Sequence, residues 1–305
     1  MKAYPPISAV VSPLSFSYNS SDTGANRALG ATESLEQFWT AVSMYYRFGK
    51  KIVDAGGMGF SYITPQANGG FTFTTQNRLF AMKGEDAANF MKPMHDALNE
   101  IGIQVNIASP LVPEPYGKRG KEPEENIANT RYRSRLFPRK NWADDKLWDE
   151  TVGAIRKSLE SGYRFHGIHY GPSLEVAGWP GSDSAVNPAW RDAVMHASLM
   201  STQPTSLTPQ QARDEETRIQ GYMQLWRDVT PGSGAYMNEA DPGEPNWQQS
   251  FFGNLYPRLL QIKKAQDPWG VFWAPTTVGS EGWEVRTADG YPRSQNGRLC
   301  RVKGG

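Results

Sequence analysis

Apolar residues recur at helical spacing in four stretches of the chain, and each stretch has a single apolar stripe. Three of them cover residues 34–53, 85–101 and 146–159, and the fourth opens at Thr208 and Pro209, a good N-cap followed by a favoured first helical residue. A helix with one apolar stripe must bury that stripe against another element. The sequence therefore predicts four helices that pack on a broad apolar surface.

Extended segments between these helices supply that surface. They are rich in β-branched and aromatic residues, and they cover residues 8–18, 59–65, 70–76, 102–109, 163–171 and 190–199. An Asn-Gly-Gly turn at Asn68 predicts a hairpin, and no glycine-rich turn joins a strand to a helix as a parallel nucleotide-binding fold requires. The predicted class is therefore α+β, an antiparallel β-sheet with helices packed on one face. The polar segment 113–133 is predicted to be a loop.

The charge balance limits the kinds of partner. With 32 basic and 31 acidic residues the net charge is +1, which gives no broad electrostatic reason to bind nucleic acid or an anionic membrane. No apolar run is long enough to cross a bilayer, and the first residues lack the apolar run of a signal peptide. Cys300 is the single cysteine, so an intrachain disulfide is excluded. We expect a neutral or small-molecule partner, and the localisation stays open.

Two common kinds of catalytic site are disfavoured by the residue pattern. His166 and His169 lie three apart in a predicted strand and so point to opposite faces, which prevents both from binding one metal ion. We therefore expect structural or hydrogen-bonding roles for them and predict no metal site. The sequence also lacks a G-x-S-x-G nucleophile elbow, which argues against a serine hydrolase.

The segment 236–253, YMNEADPGEPNWQQSFFG, is difficult to explain by packing alone. It combines three acidic residues with two prolines, a tryptophan and two phenylalanines, whereas flexible linkers avoid large aromatic side chains. Residues 236–239 can extend as a strand, 241–245 must turn, and helical spacing returns from Trp247. We expect this segment to form one wall of a binding site.

At these residues the chain resembles the berberine-bridge-enzyme-like flavoprotein oxidases of the vanillyl-alcohol-oxidase superfamily. The resemblance is closest to a fungal branch that includes alcohol oxidases and secondary-metabolite oxidases. The motifs that carry it are YMNE at 236–239, Trp247 with FFG at 251–253, NLYPRLLQIKKAQDPWGVF at 254–272, NGRLCRV at 296–302, SRLFPR at 134–139 and SAVNPAWRDAVMH at 184–196. They extend the resemblance over essentially the whole chain.

The resemblance implies a particular order of domains. Residues 1–230 are expected to be the substrate-binding domain, and residues 231–305 a berberine-like C-terminal segment that packs on an FAD-binding domain. That FAD domain is expected to be missing, because the sequence has no glycine-rich diphosphate loop and no His or Cys in the context in which the family attaches FAD. FAD is the cofactor that the family implies, and we expect the chain alone to carry none.

Three functions stay open on this basis. The first is the substrate-side part of an FAD-dependent oxidase that acts on a small alcohol, amine or secondary metabolite by hydride transfer to flavin. The second is a non-catalytic protein that binds a small molecule or a partner chain. The third is one half of a split oxidase that assembles with a flavin-domain chain across a large apolar interface. The many apolar residues after Trp247 predict such an exposed apolar surface.

The resemblance assigns roles to three residues of the YMNE motif. Tyr236 corresponds to the family's catalytic or flavin-facing tyrosine, and the alternative is a buried strand tyrosine. Phenols keep their proton near neutrality, so a tyrosine base needs a nearby cation or acceptor. Asn238 is expected to hydrogen-bond the flavin, because an amide has both donors and acceptors. Many relatives have a second tyrosine where this chain has Glu239, which makes Glu239 an alternative acid or base.

Three further residues are expected to line the substrate pocket. His196 lies on a strand that the family uses for this purpose, and a slip of one residue would put Met195 there instead. Arg135 in RSRLFP is expected to face the same pocket, and a surface ion pair is its alternative role.

Overall fold

A seven-stranded antiparallel sheet organises the computed structural model, which describes residues 9–19, 29–105, 113–114, 130–178, 184–202, 206–239 and 241–302. In chain order its strands are β1 (Ala9–Tyr18), β2 (Met58–Pro65), β3 (Phe71–Phe80), β4 (Pro113–Glu114), β5 (Thr130–Pro138), β6 (Arg164–His169) and β7 (Ala193–Thr202). Their order in the sheet is β4-β1-β3-β2-β6-β7-β5, and every neighbouring pair is antiparallel. Two short strands, β8 (Trp283–Arg286) and β9 (Arg298–Arg301), pair separately. The predicted α+β class is confirmed.

Seven α-helices accompany the sheet in the described part of the chain. They are α1 (Leu35–Asp54), α2 (Gly84–Glu100), α3 (Asp145–Glu160), α4 (Leu174–Ala177), α5 (Pro209–Asp228), α6 (Trp247–Phe252) and α7 (Tyr256–Gln266). The four predicted helices correspond to α1, α2, α3 and α5. Side chains of Ser34, Asp144 and Thr208 cap the starts of three of them by accepting a backbone N–H from the first turn. Within the residues described, no helix is both long and apolar enough to cross a membrane.

The four long helices lie against one face of the sheet. On that face alternate strand residues are buried, for example Phe73 and Leu79 on β3 and Phe165 on β6. These residues share one continuous hydrophobic core with the helices, whose contributions include Phe38, Tyr45, Met91, Trp148, Ile155, Met223 and Trp226. The prediction of helices on one face is therefore confirmed. We call the opposite side of β2, β3, β6, β7 and β5 the open face.

Three predicted segments differ from the structure. Of the predicted strand 102–109, residues 102–105 belong to no strand, and 106–109 lie outside the described residues. Segment 113–133, predicted as a loop, contains β4 and the first residues of β5. Strand β7 begins at Ala193 and not at residue 190, because Pro188–Arg191 form a 3-10 helix capped by the Asn187 side chain.

Strand β5 was not among the predicted strands, and it has arginines at alternate positions. Arg133 and Arg135 are nevertheless buried. Each has carboxylates beside it that come from distant parts of the chain, among them Glu216 of α5 for Arg133 and Glu244 for Arg135. A charged side chain can be buried in this way only when its charge is compensated.

A second, smaller hydrophobic cluster lies in the C-terminal part of the chain. Its buried members are Ala235, Phe251 and Phe252. Helices α6 and α7 are distinct, because Gly253 between them adopts a positive φ of 60° and a Cβ there would lie 3.1 Å from the Asn187 side chain. The main core ends at Val229, just before this cluster begins. The domain boundary between residues 230 and 231 stays a prediction.

Candidate functional site

A row of directly paired polar residues crosses four strands on the open face. Tyr62 of β2 lies opposite His166 of β6, His166 opposite Ser198 of β7, and Ser198 opposite Ser134 of β5. Directly paired residues of antiparallel strands point to the same face, so these four side chains share it. We call them the polar row.

Tyr236 is fixed at the edge-strand end of the polar row. Its backbone N–H donates to the Ser134 hydroxyl at 3.0 Å, and that hydroxyl lies 3.3 Å from the Tyr236 carbonyl oxygen. Gly234 O accepts from Leu136 N at 2.8 Å, so this stretch follows β5 without forming a regular strand. These contacts hold the Tyr236 backbone against the last strand of the sheet.

The residues after Tyr236 turn where a strand was predicted. Met237–Glu239 form a 3-10 helix, which corrects the predicted strand 236–239. The turn brings Asn238 back toward Tyr236, and Asn238 Nδ2 donates to the Tyr236 hydroxyl at 2.8 Å. Asn238 is exposed and Tyr236 is half-buried. The two polar groups therefore meet at the protein surface, and neither lies in a closed core.

His196 lies under the aromatic side chains of this site. Its ring centroid is 5.5 Å from that of Trp190 and 5.4 Å from that of Tyr236, and the latter two rings lie 5.3 Å apart in an edge-to-face arrangement. Burial, and to a lesser degree the nearby His166, lowers the pKa of His196 to about 3. The imidazole is therefore neutral near pH 7. Its buried Nε2 has no hydrogen-bond partner in the described part of the chain.

Glu239 completes the cluster. Its Oε2 accepts a hydrogen bond from the Ser198 hydroxyl at 2.7 Å and lies 3.6 Å from His196 Nε2. Because His196 is neutral, the second contact is not an ion pair. The carboxylate is half-buried, with one oxygen oriented by the polar row. The structure thus brings four of the predicted site residues together: Tyr236, Asn238, Glu239 and His196.

The other two predicted residues point the opposite way. Met195 is adjacent to His196 in β7 and packs in the core beneath the helices. Arg135 shares that side, where its Nε donates to Thr230 Oγ1 at 2.8 Å and its Nη2 to Thr230 O at 2.9 Å. Burial lowers the pKa of Arg135 to about 10, so it stays charged near neutrality. Neither Met195 nor Arg135 borders the open face.

The acidic residues of the turn after Glu239 anchor the site to the fold. Asp241 and Glu244 are almost fully buried. Asp241 Oδ1 lies 3.7 Å from Arg133 Nε, while Glu244 accepts from Arg227 at 2.9 Å and lies 3.6 Å from Arg135. Two of the three acidic residues in segment 236–253 are therefore structural, and Glu239 alone faces the cluster.

His166 and Trp190, for which the sequence predicted no role in the site, also lie on the open face beside it. His166 stacks flat on Tyr62, with ring centroids 4.2 Å apart, and burial lowers its pKa to about 4. His169 points into the core on the opposite face, as the spacing predicts. Trp190 lies in the 3-10 helix before β7, and the motif 184–196 that contains it carried the family resemblance without giving Trp190 a role. No cluster of metal-binding side chains occurs among the described residues.

Comparisons with known proteins find relatives of this chain. The family model described as "Berberine and berberine like" matches residues 235–279, which include the YMNE motif. FAD-linked oxidoreductase patO of Aspergillus clavatus is 32% identical over 278 residues, covering 89% of this chain and 46% of that protein. VAO-type flavoprotein oxidase VAO615 of Thermothelomyces thermophilus is 28% identical over 281 residues, covering 88% of this chain and 45% of that protein.

A solved structure shares the fold. The VAO-type flavoprotein MtVAO615 from Myceliophthora thermophila C1 matches with a TM-score of 0.70 and 24% identity, over 97% of this chain and 50% of that chain. At this level of identity the match shows the fold alone. The chain spans about half the length of the curated relatives it matches.

Proposed function

Because the chain belongs to the berberine-like, VAO-type family of FAD-linked oxidoreductases, we propose that it forms the substrate side of a flavin-dependent oxidase. The proposed reaction oxidises a small alcohol, amine or secondary metabolite, with loss of a hydride from carbon and of a proton from the attached oxygen or nitrogen. FAD, the cofactor of this family, supplies the acceptor for the hydride when it is bound. The observation that carries the proposal is the cluster of Tyr236, Asn238 and Glu239 beside the neutral His196.

The groups at this edge of the sheet fit the rim of a flavin ring. Asn238 is exposed, and besides the N–H that it gives to Tyr236 its amide has a carbonyl oxygen that accepts no hydrogen bond from the described residues. The Tyr236 hydroxyl accepts from Asn238, so its own proton is available for another acceptor. The edge of the flavin ring has both hydrogen-bond donors and acceptors, so it suits a pair of residues that also offers both. Tyr236 and Asn238 would therefore hold the ring edge, while the sequence has no glycine-rich loop for the diphosphate.

Glu239 is the residue that we assign as the proton acceptor. Ser198 donates to one carboxylate oxygen, which orients the group toward the open face. The other oxygen accepts no hydrogen bond from the described residues and is left for a substrate hydroxyl or amine. A positioned base of this kind contributes about 10²–10⁴-fold to a rate.

His196 and Trp190 have a supporting role in this proposal. The neutral imidazole adds no positive charge beside the Glu239 carboxylate, so it does not hold the carboxylate in a salt bridge. The Trp190 and Tyr236 rings cover the imidazole and exclude water from it. Water exclusion strengthens the remaining polar contacts of a bound substrate.

The proposal is tested on the FAD-loaded protein expressed from the longest reading frame that contains this chain. A panel of aliphatic alcohols, benzylic alcohols and amines is scored for anaerobic bleaching of the flavin and for hydrogen peroxide release in air. We expect at least one class to bleach the flavin. Glu239→Gln should slow the bleaching, while Glu284→Gln on the exposed strand β8 should not. Absence of bleaching with every class, or equal rates in both variants, would contradict the proposal.

A further inference from the structure

The open face carries a cavity of about 900 Å³ next to the proposed catalytic cluster. It lies over the central strands, and its walls include Phe60, Tyr62, Gln76, Arg78 and His166. None of these residues is needed for the proton transfer assigned to Glu239. The cavity is large enough for a ligand of several fused rings.

The described residues that line this cavity give it a positive charge. Arg78 is the single charged side chain among the described residues that line it, and these lining residues include no aspartate or glutamate. His166 is neutral near pH 7, because burial lowers its pKa to about 4. A guanidinium with no carboxylate among its described neighbours, in a partly enclosed space, favours an anionic group on the ligand.

Arg78 is also held in position for such a group. Its guanidinium carbon lies 5.3 Å from the centre of the Phe60 ring, a cation–π contact that restrains the side chain. Its Nε is buried and has no hydrogen-bond partner in the described part of the chain. A ligand carboxylate at the terminal guanidinium nitrogens would give this restrained side chain a charged partner.

One wall of the cavity, formed by Phe60, Tyr62 and His166, is aromatic. Tyr62 and His166 stack with an interplanar angle of 4°, and Phe60 precedes Tyr62 by two positions on the same strand face. A planar aromatic ligand can lie along such a surface with large apolar contact and little loss of conformational freedom. The stacked pair therefore selects for a ring system and against a flexible chain.

The cavity and the catalytic cluster are joined by the polar row. His166 lies opposite Ser198, which donates to Glu239, so the wall of the cavity leads directly to the proposed base. Three strand spacings of about 4.8 Å separate β7 from β3, and Arg78 lies two residues beyond Gln76, which is in line with His196, so about 16 Å separates the two backbones. The Arg78 side chain spans part of that distance, and a ligand that reaches from Glu239 to its guanidinium is therefore on the order of 10–15 Å long.

We infer that the substrate is a planar aromatic acid, whose carboxylate pairs with Arg78 while its oxidisable group lies at Glu239. The inference deepens the proposed function and rests on it. The carboxylate is bound and takes no part in the reaction. Substrate choice would thus depend on Arg78, while turnover depends on Glu239.

The test measures binding to the purified chain without any flavin. The probes are anthracene-2-carboxylate and anthracene-2-carboxamide, which have the same shape and differ in charge, and binding is followed by fluorescence anisotropy. We expect the carboxylate to bind about tenfold more tightly than the amide, as a charge-assisted pair predicts. Arg78→Gln should bring the two dissociation constants together by weakening the carboxylate alone. Arg78→Lys, which keeps the charge, should retain part of the preference.

Arg298→Gln on the exposed strand β9 is the matched control, because it removes the same charge away from the cavity. It should leave the preference of the chain for the carboxylate unchanged. Equal affinity of both probes for the unmodified chain, binding of neither probe, or an unchanged preference in Arg78→Gln would overturn the inference. Displacement of the carboxylate by flavin mononucleotide would overturn it too, since the cavity would then be a flavin site. The proposed function is judged separately by flavin bleaching, so each can fail without the other.

Discussion

His196 Nε2 lies 3.6 Å from Glu239 Oε2, and the same oxygen accepts a hydrogen bond from Ser198. The contact joins a neutral imidazole to a carboxylate, because burial lowers the pKa of His196 to about 3. Among the described residues Glu239 is therefore held by the Ser198 hydroxyl and not by a cation. An arrangement of this kind fixes the orientation of a carboxylate and leaves it free to accept a proton.

Replacement of Glu239 by glutamine tests this assignment in the FAD-loaded protein. The amide can still accept the Ser198 hydrogen bond, but it cannot take a proton from the substrate. We expect kcat to fall about 10²–10⁴-fold with little change in KM. Stopped-flow measurement of flavin bleaching gives the rate directly. A kcat within twofold of the unmodified protein would rule out Glu239 as the base.

The buried His169 should make the protein less stable in acid. Burial lowers its pKa to about 3, whereas an unfolded histidine titrates near 6.5. The unfolded state therefore takes up a proton as the pH falls below about 6.5, and the folded state does not until about 3. This stabilisation is complete above pH 6.5 and is lost as the pH falls from 6.5 toward 3. When the pH falls from 7 to 5, the free energy of unfolding should therefore decrease by about 2 kcal/mol because of His169.

His169→Gln should remove that share of the pH dependence, as measured by urea unfolding at pH 7 and pH 5. Tyr46→Phe is the control, since it disturbs the same core and keeps the imidazole. Its pH dependence should match that of the unmodified protein. If His169→Gln shows the unmodified slope as well, the imidazole is not held neutral by burial.

Removing the charge of Glu244 should destabilise the fold strongly. Its carboxylate is buried among Arg135, Arg227 and the Ser250 hydroxyl. Glu244→Gln would leave the buried Arg135 and the partly buried Arg227 without this counter-charge, and the loss of one partner of a buried pair costs about 3–5 kcal/mol. Glu284→Gln breaks an exposed pair with Arg286 and should cost less than about 1 kcal/mol. Urea denaturation of both variants decides the point, and equal small losses would show that Glu244 is not an anchor.

The segment after α7 should cause the isolated chain to self-associate. Trp269, Val271 and Phe272 are 77%, 73% and 78% exposed, which is unusual for such large apolar side chains so close in sequence. We expect concentration-dependent oligomers by light scattering, and fewer of them after Phe272→Ser. Val176→Ser removes a single exposed apolar side chain in α4 and should change nothing. A monomeric chain at all concentrations would show that this surface needs no partner.

The chain expressed by itself should carry no FAD. Tyr236 and Asn238 offer contacts for one edge of a flavin ring, and the sequence has no glycine-rich loop to bind the diphosphate. The visible absorption spectrum of the purified chain should therefore lack the flavin bands, and titrated FAD should keep its fluorescence. Retention of FAD in an equimolar amount would contradict this expectation.

Local pattern in the sequence was sufficient for the helices and most of the strands. Each long helix has one apolar stripe, each capped start has a side chain suited to the role, and the strands alternate buried and exposed positions. These features depend on residues within a few positions of one another, so they can be recognised in one chain. The YMNE motif likewise led to Tyr236, Asn238 and Glu239 before any contact was known.

The tertiary structure alone decided what those residues touch. Ser198 and Glu239 are 41 positions apart and Arg135 and Thr230 are 95 apart, so no local pattern links either pair. Strand β5 was not predicted for the same reason. Its arginines can be buried in a sheet only when carboxylates from distant segments neutralise their charges. The choice between His196 and Met195 depended on a register shift of one residue, which reverses the face of every side chain in a strand. Pairing between strands fixes that register, and pairing is a property of the folded chain.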